Sequence, residues 1–396
     1  MTVRASDRWL LRRLLAVRGH PPIEFALWNG ETFGSSTGGA LARLVVEDRA
    51  TLWSLVLQPE HGFGDAYAAG RLRVEGDLPR LLELAFRSAP GRSWEWTVAQ
   101  LATRMLRPNT RRGSRSHIQH HYDLGSDFYA RWLDERMVYT CAYFPTPEAS
   151  LEEAQLAKLD HVCRKLRLRP GERVVEAGCG WGSLALHMAS QYGCRVRAFN
   201  ISSEQIVWAR ERAKGLGLVG RVEFVEDDYR NLRGRYDAFV SVGMLEHVGP
   251  THYKVLGRVI DACLEPHGRA FLHSIGRAQP APLNPWIEKN IFPGAYTPTF
   301  REMVKILEPH GLAVLDAENL RLHYARTLEH WLLRFEGHVP ELEEQFGERF
   351  VRMWRLYLAG SIAGFRGGSL QLFQLLFSRT SSNEIPWTRA GVYGVS

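Results

Sequence analysis

From residue 150 onward, apolar and polar positions exchange periods in a regular order. Helical spacing over 151–165 gives way to a short apolar run at 173–176. The exchange then repeats as helix 183–191, strand 195–200, helix 203–214, strand 222–226, strand 238–242, helix 253–263 and strand 269–274. Short strands separated by helices of this length predict an α/β fold with a parallel, doubly wound sheet, whose ligands bind beyond the carboxyl ends of the strands. Before residue 105 the pattern is different. Short β-like runs at 23–28, 44–46 and 51–57 mix with helical ones at 65–69, 78–86 and 94–106, which predicts a smaller α+β module. Leu10, Leu11, Leu14 and Leu15 recur at helical spacing beside Arg8, Arg12 and Arg13, so the chain opens on a basic amphipathic helix that either packs on its own module or lies on a membrane surface. Residues 108–116 (PNTRRGSRS) have the composition of a linker, giving an N-terminal module over 1–107 and a second domain over 117–396.

Composition narrows the field. With 396 residues, 45% hydrophobic and 23% charged, the chain is long enough for two domains with cores of their own and is not a disordered protein. Its net charge of +7 is unevenly placed: 17 arginines face 11 acids through residue 116, against 33 basic and 32 acidic residues after it. Arg107, Arg111, Arg112 and Arg115 form an acid-free basic stretch suited to phosphate, on nucleic acid or on lipid headgroups. The five cysteines show no CxxC or Cys/His pairing, which argues against a disulfide framework and against a metal site, and fits a reducing, cytoplasmic compartment. No apolar stretch is long enough to span a bilayer, and Arg12, Arg13 and Arg18 interrupt the start, so membrane contact is expected to be peripheral.

The first strand of the alternating region ends in Glu176 and runs into Gly178-Cys179-Gly180-Trp181-Gly182 before the next helix. Glycines at this spacing allow a tight turn and close approach of a ligand to the backbone. The spacing differs from the dinucleotide pattern, whose third glycine comes one residue later. It resembles motif I of the S-adenosylmethionine-dependent methyltransferases. Asn200 to Gln205 and Asp227-Asp228-Tyr229 stand at the ends of the next two strands, where such a cofactor would extend its ribose and adenine, although a helix N-cap and ordinary turn acids would look the same.

Five further segments carry a more specific resemblance: HHYDLG (120–125), YTCAYF (139–144), GCGWG (178–182 with its preceding Ala177), GMLEHVG (243–249) and HSIG (273–276). Together they resemble the cyclopropane-fatty-acid-phospholipid synthase family over most of 115–380, and the N-terminal module is similar to the lipid-binding domain of its phospholipid-acting members. The resemblance implies a mostly parallel seven-stranded methyltransferase sheet. It also implies transfer of a methylene unit from S-adenosylmethionine to the cis double bond of an unsaturated phospholipid acyl chain, with a bound bicarbonate ion taking the proton. The residues matching the family's bicarbonate site are Cys141, Glu246, His273, Ile275 and Tyr324. Those matching its cofactor site are Tyr139, Thr140, Gly178, Gly180 and Gln205, and Glu176, Asn200, Asp228 and Tyr229 are expected to join them from the strand ends. Asn200 stands where the family often has threonine, and Ser361 where several relatives have cysteine. The resemblance implies a homodimer, and the chain is expected to associate peripherally with the inner face of the membrane.

Other readings stay open at this point. Glu246 and His273 fit a ligand site at the strand ends better than a core, whereas Cys141 and Tyr324 could each be ordinary interior residues. The apolar stretch 356–377, interrupted by Gly360, Gly364, Gly367 and Gly368, could be core helices or the wall of an acyl tunnel, and Trp286 and Phe292 could meet lipid at its mouth. A nucleic-acid methyltransferase would carry an Asn/Asp-Pro-Pro-aromatic tetrapeptide or a Pro-Cys nucleophile, and neither occurs. A lipid-binding protein without catalysis would be expected to have lost the glycines or Glu246. A methylene- or methyl-branched product, with or without a reductase partner, is as compatible with these residues as a ring.

Overall fold

A computed structural model describes residues 2–17, 21–34, 40–87 and 124–394. The expected linker 108–116, the helix over 94–106, the basic stretch from Arg107 to Arg115 and the motif residues 120–123 lie outside the described residues. The chain forms two compact units. One gathers Met1–Ser93, Asn284–Ile291 and Leu328–Ser369; the other gathers Trp94–Leu283, Phe292–Thr327 and Leu370–Ser396.

In the first unit β1 (Ile23–Leu27), β2 (Thr32–Gly34), β3 (Ala42–Val46) and β4 (Leu72–Gly76) form a sheet in the order β2-β1-β3-β4, with β1 and β3 parallel. The opening helix Ala5–Val17 turns Leu10, Leu11 and Leu15 into the core beside Phe25, Leu44 and Val46, and leaves Trp9, Arg12 and Arg13 exposed. Its buried Asp7 accepts from Arg49 Nε at 2.8 Å and from Trp53 Nε1 at 3.1 Å, joining it to the helix Arg49–Leu57. That second helix corrects the strand expected over 51–57. Asp48 caps it, accepting from Thr51 N at 2.7 Å, and the cap decides between two conformations that the apolar run alone does not separate. The helix Glu348–Gly367 packs against the helices Pro59–Ala68 and Leu78–Arg87. Trp286 is 4% exposed and so close to Pro59–Ala68 that a Cβ on Gly64 would run into its ring, so it is a packing residue of this unit rather than one that meets lipid at a surface.

The second unit is built on a seven-stranded sheet of β5 (Arg173–Ala177), β6 (Arg195–Asn200), β7 (Val222–Glu226), β8 (Tyr236–Val242), β9 (Leu264–Gly276), β10 (Leu312–Asn319) and β11 (Gln371–Arg379), in the order β10-β11-β9-β8-β5-β6-β7. Strands β5 to β9 run parallel, and β11 is antiparallel to both β9 and β10. One core lies under the helices Leu151–Leu166, Ser183–Gln191 and Ser203–Gly215, and a second under Tyr253–Cys263 and Phe300–Leu307, so both faces of the sheet are covered. The chain winds outward from β5 through β6 to β7, then returns to the other side of β5 with β8. The carboxyl ends of β5 and β8 therefore flank the switch point where sheets of this kind take ligands. Of the apolar stretch over 356–377, the first part is helix to Gly367. The rest is not helical: from Gln371 it is β11, with Leu372, Leu375, Leu376 and Phe377 buried.

Candidate active site

After β5 the chain turns through Gly178, Gly180 and Gly182 with φ of +83°, +54° and +82°, a region that side chains strain to enter. The three glycines face different surroundings. A Cβ on Gly178 would stand 2.8 Å from Met244 Cβ and one on Gly182 2.6 Å from the Phe224 ring, whereas one on Gly180 would meet nothing within 4 Å. Gly178 N and Cys179 N both donate to Phe199 O, at 2.9 and 3.1 Å, which ties the loop to the end of β6. Asn200 Nδ2 donates to Gly180 O at 3.2 Å and to Gln205 Oε1 at 2.7 Å. The Asn200 amide thus connects the glycine loop to the helix Ser203–Gly215.

Tyr139, Thr140, Glu176, Gly178, Gly180, Asn200, Gln205, Asp228 and Tyr229 all line one cavity at this end of the sheet. Asp228 enters it with its carboxylate forked by Arg230, whose Nε and Nη2 donate at 2.7 and 2.6 Å. Glu176 is buried, and its Oε2 has no hydrogen-bond partner among the described residues. Burial pushes its carboxyl up to about 8, while the nearby Lys158 ammonium pulls the other way.

Sequence reasoning missed several residues of the same cavity. Lys158, Trp181, Met244, His247 and Arg230 line it too. Trp181 belongs to an aromatic group with Tyr129, Trp132 and Tyr139, their ring centroids 5.1 to 5.5 Å apart in the contacting pairs, and its Nε1 donates to Ser126 Oγ at 3.0 Å. Lys158 sits mid-helix in Leu151–Leu166, where helical periodicity reads it as an ordinary polar position; only its burial marks it.

The other five candidates fall into three groupings. Glu246, past the end of β8, reaches back to β9, where its Oε1 accepts from Ile275 N at 2.6 Å and its Oε2 is buried without a partner among the described residues. Burial raises the Glu246 carboxyl to about 7, against the lowering effect of backbone hydrogen bonds. His273 lies within β9 rather than at its end, opposite Gln374 of β11, whose Nε2 meets His273 Nδ1 at 3.2 Å. With Gln374 donating there, His273 Nε2 carries the proton, and that buried atom also has no partner among the described residues. Burial holds the ring well below the usual histidine range, so it is neutral. Cys141 directly follows Thr140 of the cavity wall. Its Sγ donates to Ala142 O at 3.1 Å and lies 3.9 Å from Leu320 O, while Ala142 N donates to Thr327 Oγ1 at 3.0 Å. Burial drives its thiol pKa upward, so the group is a neutral donor and not a thiolate. Tyr324, buried on the helix Arg321–Glu336, lies one turn from Leu320 and from Thr327.

The profile of the family described as mycolic acid cyclopropane synthetase matches residues 109–375. The chain belongs to this family. Among its relatives, the cyclopropane-fatty-acyl-phospholipid synthase of Escherichia coli K12 is 36% identical over 384 residues, covering 96% of this chain and 94% of that one. A probable fatty acid methyltransferase of Pseudomonas putida is 34% identical over 385 residues, covering 94% and 97%. Among solved structures, mycolic acid cyclopropane synthase CmaA1 complexed with SAH and CTAB is similar with a TM-score of 0.64 at 26% identity, covering 67% of this chain and 98% of that one. Family membership and fold together make the chain an S-adenosylmethionine-dependent methyltransferase of the cyclopropane synthase type. The cavity fits that cofactor: it lies at the switch point, Gly180 leaves its wall open, and the buried Glu176 oxygen faces no protein donor among the described residues.

Proposed function

We propose that this enzyme converts the cis double bond of an unsaturated phospholipid acyl chain into a cyclopropane ring. When bound, S-adenosylmethionine supplies an electrophilic methyl group. The alkene's π electrons would form a bond to that carbon as the methyl–sulfur bond breaks, its electron pair remaining on the sulfur of S-adenosylhomocysteine, and the cation left on the chain would close to a ring as a proton leaves the new methyl group. An alkene is a weak nucleophile, so the protein's contribution is to hold it close in a dry pocket and to give the proton a destination.

The observation carrying this reading is two buried polar atoms without partners among the described residues, Glu246 Oε2 just past the end of β8 and His273 Nε2 within the neighbouring strand β9. A bicarbonate ion placed among Glu246, His273, Ile275, Cys141 and Tyr324 would accept from the His273 Nε2 proton and face Glu246, whose raised pKa lets it donate. The ion would then take the proton from the reacting carbon. The name of the Escherichia coli relative supports the ring, and a methylene- or methyl-branched product is the second reading. We further assign the first unit to docking on the inner membrane face, with exposed Trp9, Arg12 and Arg13 on its opening helix, and expect a homodimer with no nucleic-acid partner. Among the described residues no helix is long and apolar enough to cross a membrane, which fits peripheral attachment.

Purified protein incubated with S-adenosylmethionine and vesicles of cis-unsaturated phospholipid should add one methylene unit per modified chain, with upfield ring protons in the NMR spectrum of the product. Olefinic protons of an exocyclic methylene would favour the branched reading, and unchanged lipid would overturn both.

A further inference from the structure

Resting on the cofactor reading above, we infer that Lys158 and Thr140 together bind the carboxylate at the amino-acid end of the cofactor, while Glu176 receives the neighbouring ammonium. The starting point is a cation in an unusual place. Lys158 is 2% exposed and lines the cavity, and its Nζ donates to a neutral group, Thr140 Oγ1, at 2.9 Å. Asp134 and Glu176 act on it only through space. The Asp134 oxygens already accept from Val138 N at 2.8 Å and Arg136 N at 3.1 Å. Among the described residues no anion contacts this buried ammonium, which is costly, and a ligand carboxylate would offset that cost.

The hydrogen-bond chemistry fixes the kind of group that completes the site. An ammonium has only donors, so Thr140 Oγ1 must be the acceptor in its bond with Lys158. The Thr140 hydroxyl proton is then directed elsewhere, and Thr140 also lines the cavity. Two adjacent donors, one of them charged, suit an anionic oxygen and repel the ligand's own ammonium and sulfonium charges. Glu176 Oε2, without a hydrogen-bond partner among the described residues, offers the opposite preference in the same cavity. A zwitterionic amino-acid group matches both.

The wall that presents these donors is held firmly. Gln155, one turn before Lys158 on the same helix, donates through Nε2 to Thr140 O at 2.9 Å and to Val138 O at 3.3 Å. Met137, just before them, takes the left-handed conformation at φ +58°, with its N donating to Asp134 O at 2.8 Å. The segment is thus fixed from both sides before any ligand arrives.

Calorimetric titration of the full-length protein with S-adenosylhomocysteine and with 5′-methylthioadenosine, which lacks the amino-acid end, separates this role from a structural one. Lys158→Met should weaken S-adenosylhomocysteine binding about 10- to 100-fold and leave methylthioadenosine binding within about twofold. Thermal melting checks that the variant folds. If it does not, Lys158→Gln, which keeps a donor for Thr140 and removes the charge, should give the same selective loss. Equal weakening of both ligands, or unchanged S-adenosylhomocysteine binding in a folded variant, would overturn the inference while leaving the cofactor reading intact. Wild-type protein that binds neither ligand would overturn both.

Discussion

Glu246 carries two roles that pH can separate. Its side chain holds the Ile275 N–H with one oxygen and leaves the other buried, and burial lifts its pKa from 4.5 to about 7. Between those values the folded carboxyl keeps a proton that the unfolded one has lost, so stability falls as pH rises through this window. Glu246→Gln should reduce that fall by on the order of 2–3 kcal/mol, read from denaturant melts at pH 5 and pH 8, with Glu176 contributing a remaining slope of the same sign. The same variant should bind S-adenosylhomocysteine as the wild type does and lose most of its turnover. Full turnover would remove Glu246 from the proton path. The residues legible in the sequence were those whose neighbours announce them: the glycines before a helix, the acid closing β5, the Asp-Tyr pair after β7. Lys158 and Trp181 were not legible, because burial and cavity position are tertiary properties. The Asp228–Arg230 fork was equally hidden, since neither residue type implies the other as a partner.

At the level of elements, the alternating half of the second unit was readable almost to its ends, because helix and strand periods differ and two of its helices begin with a capping serine. Ser150 and Ser202 both cap the helices that follow them. Among the elements that escaped, two show why. The helix Arg49–Leu57 is apolar with little polar punctuation, so only Asp48 distinguishes it from a strand. β11 was hidden because its residues are buried on both faces between β9 and β10, which removes the alternation that marks a half-exposed strand. If Asp48 is what makes the first of these a helix, Asp48→Ala should cost about 1 kcal/mol of stability, read by thermal melting, with cofactor affinity unchanged. A variant as stable as the wild type would show that the cap is not decisive.

For the molecule as a whole, the uneven charge becomes a statement about lipid. Through residue 93, the stretch that opens the unit assigned to docking, 12 arginines face 10 acids; residues 94–116 add five arginines against one acid, and the remainder is close to neutral. Salt screens exposed charges far more than buried ones, so raising it from 50 to 500 mM should weaken binding to anionic vesicles several-fold and leave S-adenosylhomocysteine affinity nearly constant. Vesicle binding that is indifferent to salt would assign attachment to apolar contact alone. The sheet order has a further consequence, for the timing of assembly. β9, which carries His273 and Ile275, borders β11, and roughly a hundred residues are translated between the two. At about 5–20 residues per second, the newly made strand waits on the order of 5–20 s for its neighbour and for Gln374, the partner of His273. Until then β9 is an open edge, exposed to pairing with another chain, and the imidazole has no partner to set its tautomer. A ribosome-bound chain therefore cannot pair His273 with Gln374 until it is nearly finished; under the proton-accepting role proposed for this site, methyl-donor consumption waits on the last strand of the sheet.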